Sequence, residues 1–189
     1  MSTPGDSTSC ILDSEPAPEP EPSGDLRISI VQEQADWSGF DRPEQAIYAA
    51  AAALVSHPGG ASARGTEAGV VLADDGMVRH LNATYRGKDA ATNVLSFPFQ
   101  APPGGMPQDM PNLRPYLGDV VLAAETVLLE AAERGIAATA HLQHLVVHGL
   151  LHLLGFDHDT DAEAERMEHL EAQILATLGI ANPHTEPPA

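Results

Sequence analysis

His148-Gly149-Leu150-Leu151-His152-Leu153-Leu154-Gly155-Phe156-Asp157-His158 is the stretch whose reading decides the fold. With Leu145, Val146 and Val147 before it, apolar side chains surround nearly the whole of a helix, and a helix apolar all round belongs in an interior. Imidazoles on such a helix need partners, because burying a polar nitrogen without one costs free energy. His148 and His152 stand at i and i+4, so their rings leave one face about one turn apart and can share an ion. Gly155 suits a left-handed turn at the helix C-terminus, which lets His158 come back over the helix end with a third nitrogen. Three neutral imidazoles with an open fourth position suit a catalytic divalent metal, Zn2+ first, one ion per chain. Nickel is a compatible alternative, since histidine sites accept several ions.

Several neighbours are candidates for supporting roles. A rival triad of His144, His148 and His152 fails on length, because eight helical residues rise about 12 Å and two ligands of one ion lie roughly 2 Å from it. His141 and His144 share one helix face; His144 is a candidate to line the site, with an ordinary polar face as the simpler reading. Asp157 is a candidate to orient a histidine or assist proton transfer, with a turn or capping aspartate as the plain alternative. The spacing is similar to the zinc pattern of metzincin proteases, whose first histidine is followed by a glutamate general base. Here Gly149 takes that place, which supports the metal geometry and weakens a proteolytic reading.

Working outward, Leu26, Ile28 and Ile30 alternate with Arg27, Ser29 and Val31 as in a strand. A helix is expected from Pro43 through about Ser56. Val70-Val71-Leu72 suggests a second strand, and Asp74-Asp75 can cap a short helix carrying Met77, Leu81 and Tyr85 that ends at Arg86-Gly87. Val94 to Phe97 reads as a third strand, residues 98–115 as a long surface loop, and Leu117 to Leu122 as a fourth strand. Helical patterns follow at Ala123 to Arg134, about Ala137 to Leu154, and Asp161 to Leu178. The last opens with the capping-box spacing Thr160-Asp161-Ala162-Glu163 and carries Met167, Leu170, Ile174 and Leu178 on one side. The expected fold is α+β, one domain, with a small mixed sheet of about four strands and about five helices.

The chain has 189 residues, 9 basic against 27 acidic, for a net charge of −18. That balance argues against a broad electrostatic grip on nucleic acid or an anionic membrane. Residues 1–24, with Glu15-Pro16-Ala17-Pro18-Glu19-Pro20-Glu21-Pro22, lack apolar periodicity and are expected to be a disordered acidic extension. The single cysteine, Cys10, excludes an intrachain disulfide and fits a reducing, cytoplasmic setting. Neither a signal-peptide pattern nor an apolar run long enough to span a bilayer is visible, so a soluble protein without membrane partners is expected.

Two further segments are Leu81-Asn82-Ala83-Thr84-Tyr85-Arg86-Gly87-Lys88-Asp89-Ala90-Ala91-Thr92-Asn93-Val94-Leu95-Ser96-Phe97-Pro98 and Leu117-Gly118-Asp119-Val120-Val121. Together with the histidine stretch and the ending Leu178-Gly179-Ile180-Ala181-Asn182-Pro183, they resemble the YbeY endoribonucleases of bacterial ribosomal RNA maturation. The resemblance spans roughly residues 25–183 and leaves 184–189 as a C-terminal tail. It implies a metal-dependent, single-strand-specific endoribonuclease acting in 16S rRNA 3′-end maturation and ribosome quality control. The implied partners are ribosomal RNA, the small ribosomal subunit and assembly factors. Residue by residue, the resemblance makes His148, His152 and His158 the metal ligands and Arg86 the functional arginine.

Chemistry makes these roles intelligible. A metal ion can polarise a phosphodiester oxygen or acidify water, and a guanidinium can bind phosphate through two parallel donors. Metal-bound hydroxide and the substrate's own 2′-hydroxyl are both open as nucleophiles. Lys88 is a candidate contact to the RNA backbone, and Tyr85, Phe97 and Phe99 are candidate stacking faces, although core packing explains Phe97 more simply. Where the family often has Lys-Pro this chain has Ala90-Ala91, which removes one possible backbone contact. With the acidic extension, that points to weak intrinsic affinity for RNA and targeting by the ribosome or an assembly partner. The rival readings are a zinc peptidase-like hydrolase and a non-catalytic assembly factor with a structural metal.

Overall fold

Alternating side chains build the first strand. In the computed structural model, which describes residues 25–33, 35–101 and 114–185, Arg27–Gln32 (β1) buries Ile28 and exposes Arg27, Ser29 and Val31. Pro43–Ser56 (α1) follows with proline in its first turn, where a missing N–H costs nothing. A 3-10 helix, Pro58–Ala63, then leads to Glu67–Ala73 (β2) and Asp75–Arg86 (α2). Val94–Pro98 (β3), Tyr116–Ala123 (β4), Ala124–Arg134 (α3), Ala138–Leu153 (α4) and Asp161–Thr177 (α5) complete the order. The 3-10 helix is an element the sequence reading lacks; its Pro58-Gly59-Gly60 start carries no apolar period. The expected disordered extension, most of the 98–115 loop and the end of the C-terminal tail lie outside the described residues.

The four strands form one mixed sheet in the order β1-β2-β4-β3. β1, β2 and β4 run parallel, and β3 pairs antiparallel with β4. The α+β expectation of about four strands and about five helices is met. On one face, α1, α4 and α5 share the larger core with the sheet through residues such as Ile47, Leu72, Leu122, Val146, Leu150 and Ile174. Each such side chain contributes about 1.5–3 kcal/mol on full burial. A smaller cluster of Ala73, Val78, Leu95, Val121 and Ala123 packs Met77, Leu81 and Phe97 against it. No helix among the described residues is long and apolar enough to cross a membrane.

Two local devices place the ends that matter. The Asp74 side chain accepts the Met77 N–H at 2.7 Å to start α2, and Gly87, at φ 69°, stops it one residue after Arg86. At α5 the expected capping box forms: Thr160 Oγ1 accepts the Glu163 N–H at 3.3 Å, and Glu163 Oε2 accepts the Thr160 N–H at 3.2 Å. The box fixes where the chain leaves His158 and turns into α5.

Candidate functional site

α4 carries His148 and His152 one turn apart, and their Nε2 atoms stand 3.1 Å from each other. The segment after α4 turns back as its glycine predicts. Gly155 adopts φ 87°, its N–H reaches His152 O at 3.0 Å, and the Phe156 N–H reaches Leu151 O at 3.1 Å. His158 is thereby returned over the helix end, and one ligand atom from each of His148, His152 and His158 lies within 4.8 Å of the others.

Proton placement makes this grouping informative. His152 Nδ1 lies 3.0 Å from Phe156 O, so it is the donor there and Nε2 carries the lone pair. His148 Nδ1 faces the Glu171 carboxylate at 3.3 Å, and the negative charge there favours the proton on that nitrogen. With both Nδ1 atoms turned to acceptors, the two Nε2 atoms are left facing each other, an arrangement that either a ring proton or a shared cation satisfies. Tetrahedral ligands about 2.0–2.1 Å from zinc stand about 3.3 Å apart, so the observed separation fits the group. Burial, and then the charges of His148 and His158, lower the pKa of His152 and favour the neutral, ligating form.

The three histidines line a cavity of about 650 Å³ together with Arg86, Asn93 and Ser96. Arg86 is exposed at the C-terminal end of α2, where the chain turns away. Arg79 grips Asp89 through two bonds of 2.6 and 2.9 Å, and the Asn82 side-chain amide donates to Ala90 O at 2.8 Å. These contacts hold the loop after Arg86. Asp157 also lines the cavity; its Oδ1 accepts the His158 N–H at 2.8 Å, the turn aspartate of the plainer reading. Lys88 and His144 are not among the lining residues. Tyr85 is 68% exposed and meets the edge of Phe97, whose ring packs on the smaller core cluster, while Phe99 sits against Tyr116.

Gly149 faces the sheet rather than the cavity. A Cβ there would lie 2.7 Å from Val120 Cγ1 and 3.2 Å from Ser96 Oγ, and the Ser96 hydroxyl donates to Gly149 O at 3.2 Å. A glutamate at this position would be driven into β4. The difference from the metzincin pattern is therefore built into how α4 packs.

His141 and His144 do not form a solvated face, because α4 is central and both sides of it are covered. His141 is 1% exposed and bonds Glu130 at 2.7 Å, and Glu130 also accepts both contacts of the Asn93 amide. His144 Nε2 lies 3.4 Å from Glu171. Glu171 is the residue that sequence reasoning missed. It is 1% exposed on α5, and burial alone would raise its carboxyl pKa, but the imidazoles of His144 and His148 beside it hold it well below the usual range. The available signal was a carboxylate inside the apolar stripe of Met167, Leu170, Ile174 and Leu178. His184, in the tail by sequence, contacts Glu171 Oε2 at 2.6 Å.

Comparison with known proteins adds a family. The family described as Endoribonuclease YbeY matches residues 27–179. An Endoribonuclease YbeY of Azorhizobium caulinodans is 48% identical over 164 residues, covering 86% of this chain and 98% of that protein. The Rhizobium meliloti protein of the same description is 46% identical over 170 residues, covering 87% and 96%. A solution structure, TM1509 from Thermotoga maritima, is similar with a TM-score of 0.47 and 19% identity, covering 85% of this chain and 99% of that one.

Proposed function

This chain belongs to the endoribonuclease YbeY family, and from that premise we propose that it cuts single-stranded ribosomal RNA at an ion held by His148, His152 and His158. Its place is 16S rRNA 3′-end maturation and ribosome quality control in the cytoplasm, with the small subunit or an assembly factor bringing the substrate. The domain doing so is residues 25–183. The observation that carries the reading is the pair of Nε2 atoms 3.1 Å apart, each with its other nitrogen facing an oxygen, on a cavity that Arg86 shares.

When bound, a Zn2+ or similar ion supplies Lewis acidity toward a phosphodiester oxygen and lowers the pKa of water. The residues do the rest. Arg86 engages in no ion pair among the described residues, so its fork of donors is available to a phosphate and to the charge that develops on it. Phe156 O and the Glu171 carboxylate hold the two helix imidazoles in their ligating tautomers. The net charge of −18 favours delivery of RNA by a partner over capture from solution.

The test uses end-labelled, unstructured rRNA with chelated protein, zinc-restored protein and Arg86→Ala. Cleavage stops on chelation and returns with zinc. Losing a charge-assisted contact of about 1.5–3 kcal/mol makes Arg86→Ala about 10- to 150-fold slower. A zinc-restored protein that leaves RNA intact and cuts a peptide library would establish the peptidase reading instead. Normal 16S maturation in cells carrying folded Arg86→Glu protein would favour a structural factor. The cut ends identify the nucleophile: a cyclic phosphate means the 2′-hydroxyl, and a free 3′-hydroxyl means water.

A further inference from the structure

A carboxylate sealed in a protein interior needs donors on both oxygens. Around Glu171 these are three imidazoles from two parts of the chain. Oε1 lies between His148 Nδ1 at 3.3 Å and His144 Nε2 at 3.4 Å, and Oε2 takes His184 Nε2 at 2.6 Å. The two contacts to Oε1 are long, and neither has good hydrogen-bond geometry. His148 is the ring that matters, because it touches Glu171 through Nδ1 and His152 through Nε2.

We infer that Glu171 is a positioning residue of the metal centre, its carboxylate taking the Nδ1–H of His148 so that Nε2 is presented to the ion. The inference rests on the proposed role of His148, His152 and His158 as ligands. His152 shows the same device in a simpler form, with its Nδ1–H spent on Phe156 O at 3.0 Å. Outer partners of this kind fix the tautomer and orientation of a ligating histidine and raise its basicity. His184 completes the arrangement from beyond the residues that match the family, 27–179. By holding Oε2 it keeps the carboxylate from rotating away from His148.

His144, Glu171 and His184 also offer ligand atoms within 4.8 Å of one another, which makes a second cation the competing explanation. The 2.6 Å between His184 Nε2 and Glu171 Oε2 argues for a shared proton there. Two zinc ligands stand about 3 Å apart or more when each is about 2 Å from the ion.

The experiment strips the full chain of metal and titrates zinc against a chromophoric chelator for the unsubstituted protein, Glu171→Gln and His184→Ala. Far-UV circular dichroism establishes that each is folded. The unsubstituted protein should bind one zinc per chain. Glu171→Gln, of similar volume but without the charge, should bind it about 10- to 100-fold more weakly, and His184→Ala should show a smaller loss in the same direction. In the zinc-loaded protein, long-range 1H–15N spectra should show His148 protonated at Nδ1, a signature that weakens in Glu171→Gln. A structural role alone would lower the melting temperature while leaving the zinc dissociation constant and the spectrum unchanged, and that result overturns the inference. So does a second zinc that His184→Ala abolishes. If Glu171→Gln does not fold, equal zinc affinity in His184→Ala and the unsubstituted protein overturns it. An unsubstituted protein that binds no zinc overturns the ligand assignment itself, and the inference with it.

Discussion

Gly149→Ala adds one methyl group where the histidine-bearing helix α4 meets the sheet, and two effects of opposite sign compete there. The new Cβ would lie 2.7 Å from Val120 Cγ1, 3.0 Å from Val120 Cγ2 and 3.2 Å from Ser96 Oγ. Carbon atoms ordinarily rest about 3.5–4.0 Å apart, so the valine must yield by most of an ångström. It has little freedom to do so: Val120 is 0% exposed on an interior strand, and a β-branched side chain is stiff at χ1. Helix propensity favours alanine by about 1 kcal/mol, whereas overpacking a tight contact costs about 1–3 kcal/mol. The rigid obstacle places the cost near the upper end, leaving a net loss of about 1–2 kcal/mol. For a domain of this size each kcal/mol is worth about 2–4 °C, so melting falls by about 2–8 °C. The assay is urea unfolding followed by far-UV circular dichroism in excess chelator, where the midpoint drops at unchanged slope. Zinc affinity should fall as well, because His148 adjoins the displaced residue. A Gly149→Ala protein as stable as the original, with the same zinc affinity, would refute the claim that close approach of α4 to β4 positions the site.

Other perturbations separate the remaining ideas. Gly155→Ala places a Cβ at φ 87°, where the left-handed conformation costs about 1–2 kcal/mol; the turn that returns His158 loosens, and chelator competition should report weaker zinc binding. Unchanged affinity would show that His158 is held by something other than this turn. Acid should destabilise the metal-free protein. Burial lowers the pKa of His141, so as pH falls the unfolded chain takes up that proton first. Glu130 acts in the same direction: burial opposes its ionisation, but bonds from Asn93 and His141 prevail, and its lowered pKa gives stability that is lost as pH falls through the folded value. His141 should therefore make the urea midpoint decline from pH 8 to pH 5, with the Glu130 loss adding only at more acid pH, and His141→Gln should flatten the decline above pH 5; a midpoint that rises toward pH 5 contradicts this sign. Binding of unstructured RNA should depend weakly on salt. With Arg86 in the cavity as one phosphate contact, and at most Lys88 outside it as a second, the slope of log K against log salt is about −0.7 to −1.4, and one steeper than about −3 would mean that a broader basic surface holds the RNA.

Much of the site was legible because helices announce themselves locally. The spacing of His148 and His152, the glycine that turns His158 back, the Thr160–Glu163 capping box and the stop of α2 after Arg86 are relations within one turn of chain. They depend on backbone geometry that any neighbourhood would leave intact, and so the sequence alone determined the histidine cluster and most element boundaries. Tertiary structure decided which faces meet. Only packing brings Glu171 of α5 behind His148 of α4, seals His141 against Glu130, and turns Gly149 into the sheet. Those contacts join residues distant in sequence, and the type of residue does not announce them. A glutamate in an apolar stripe becomes a neighbour of the histidine cluster only when another helix supplies the imidazoles that keep its charge buried.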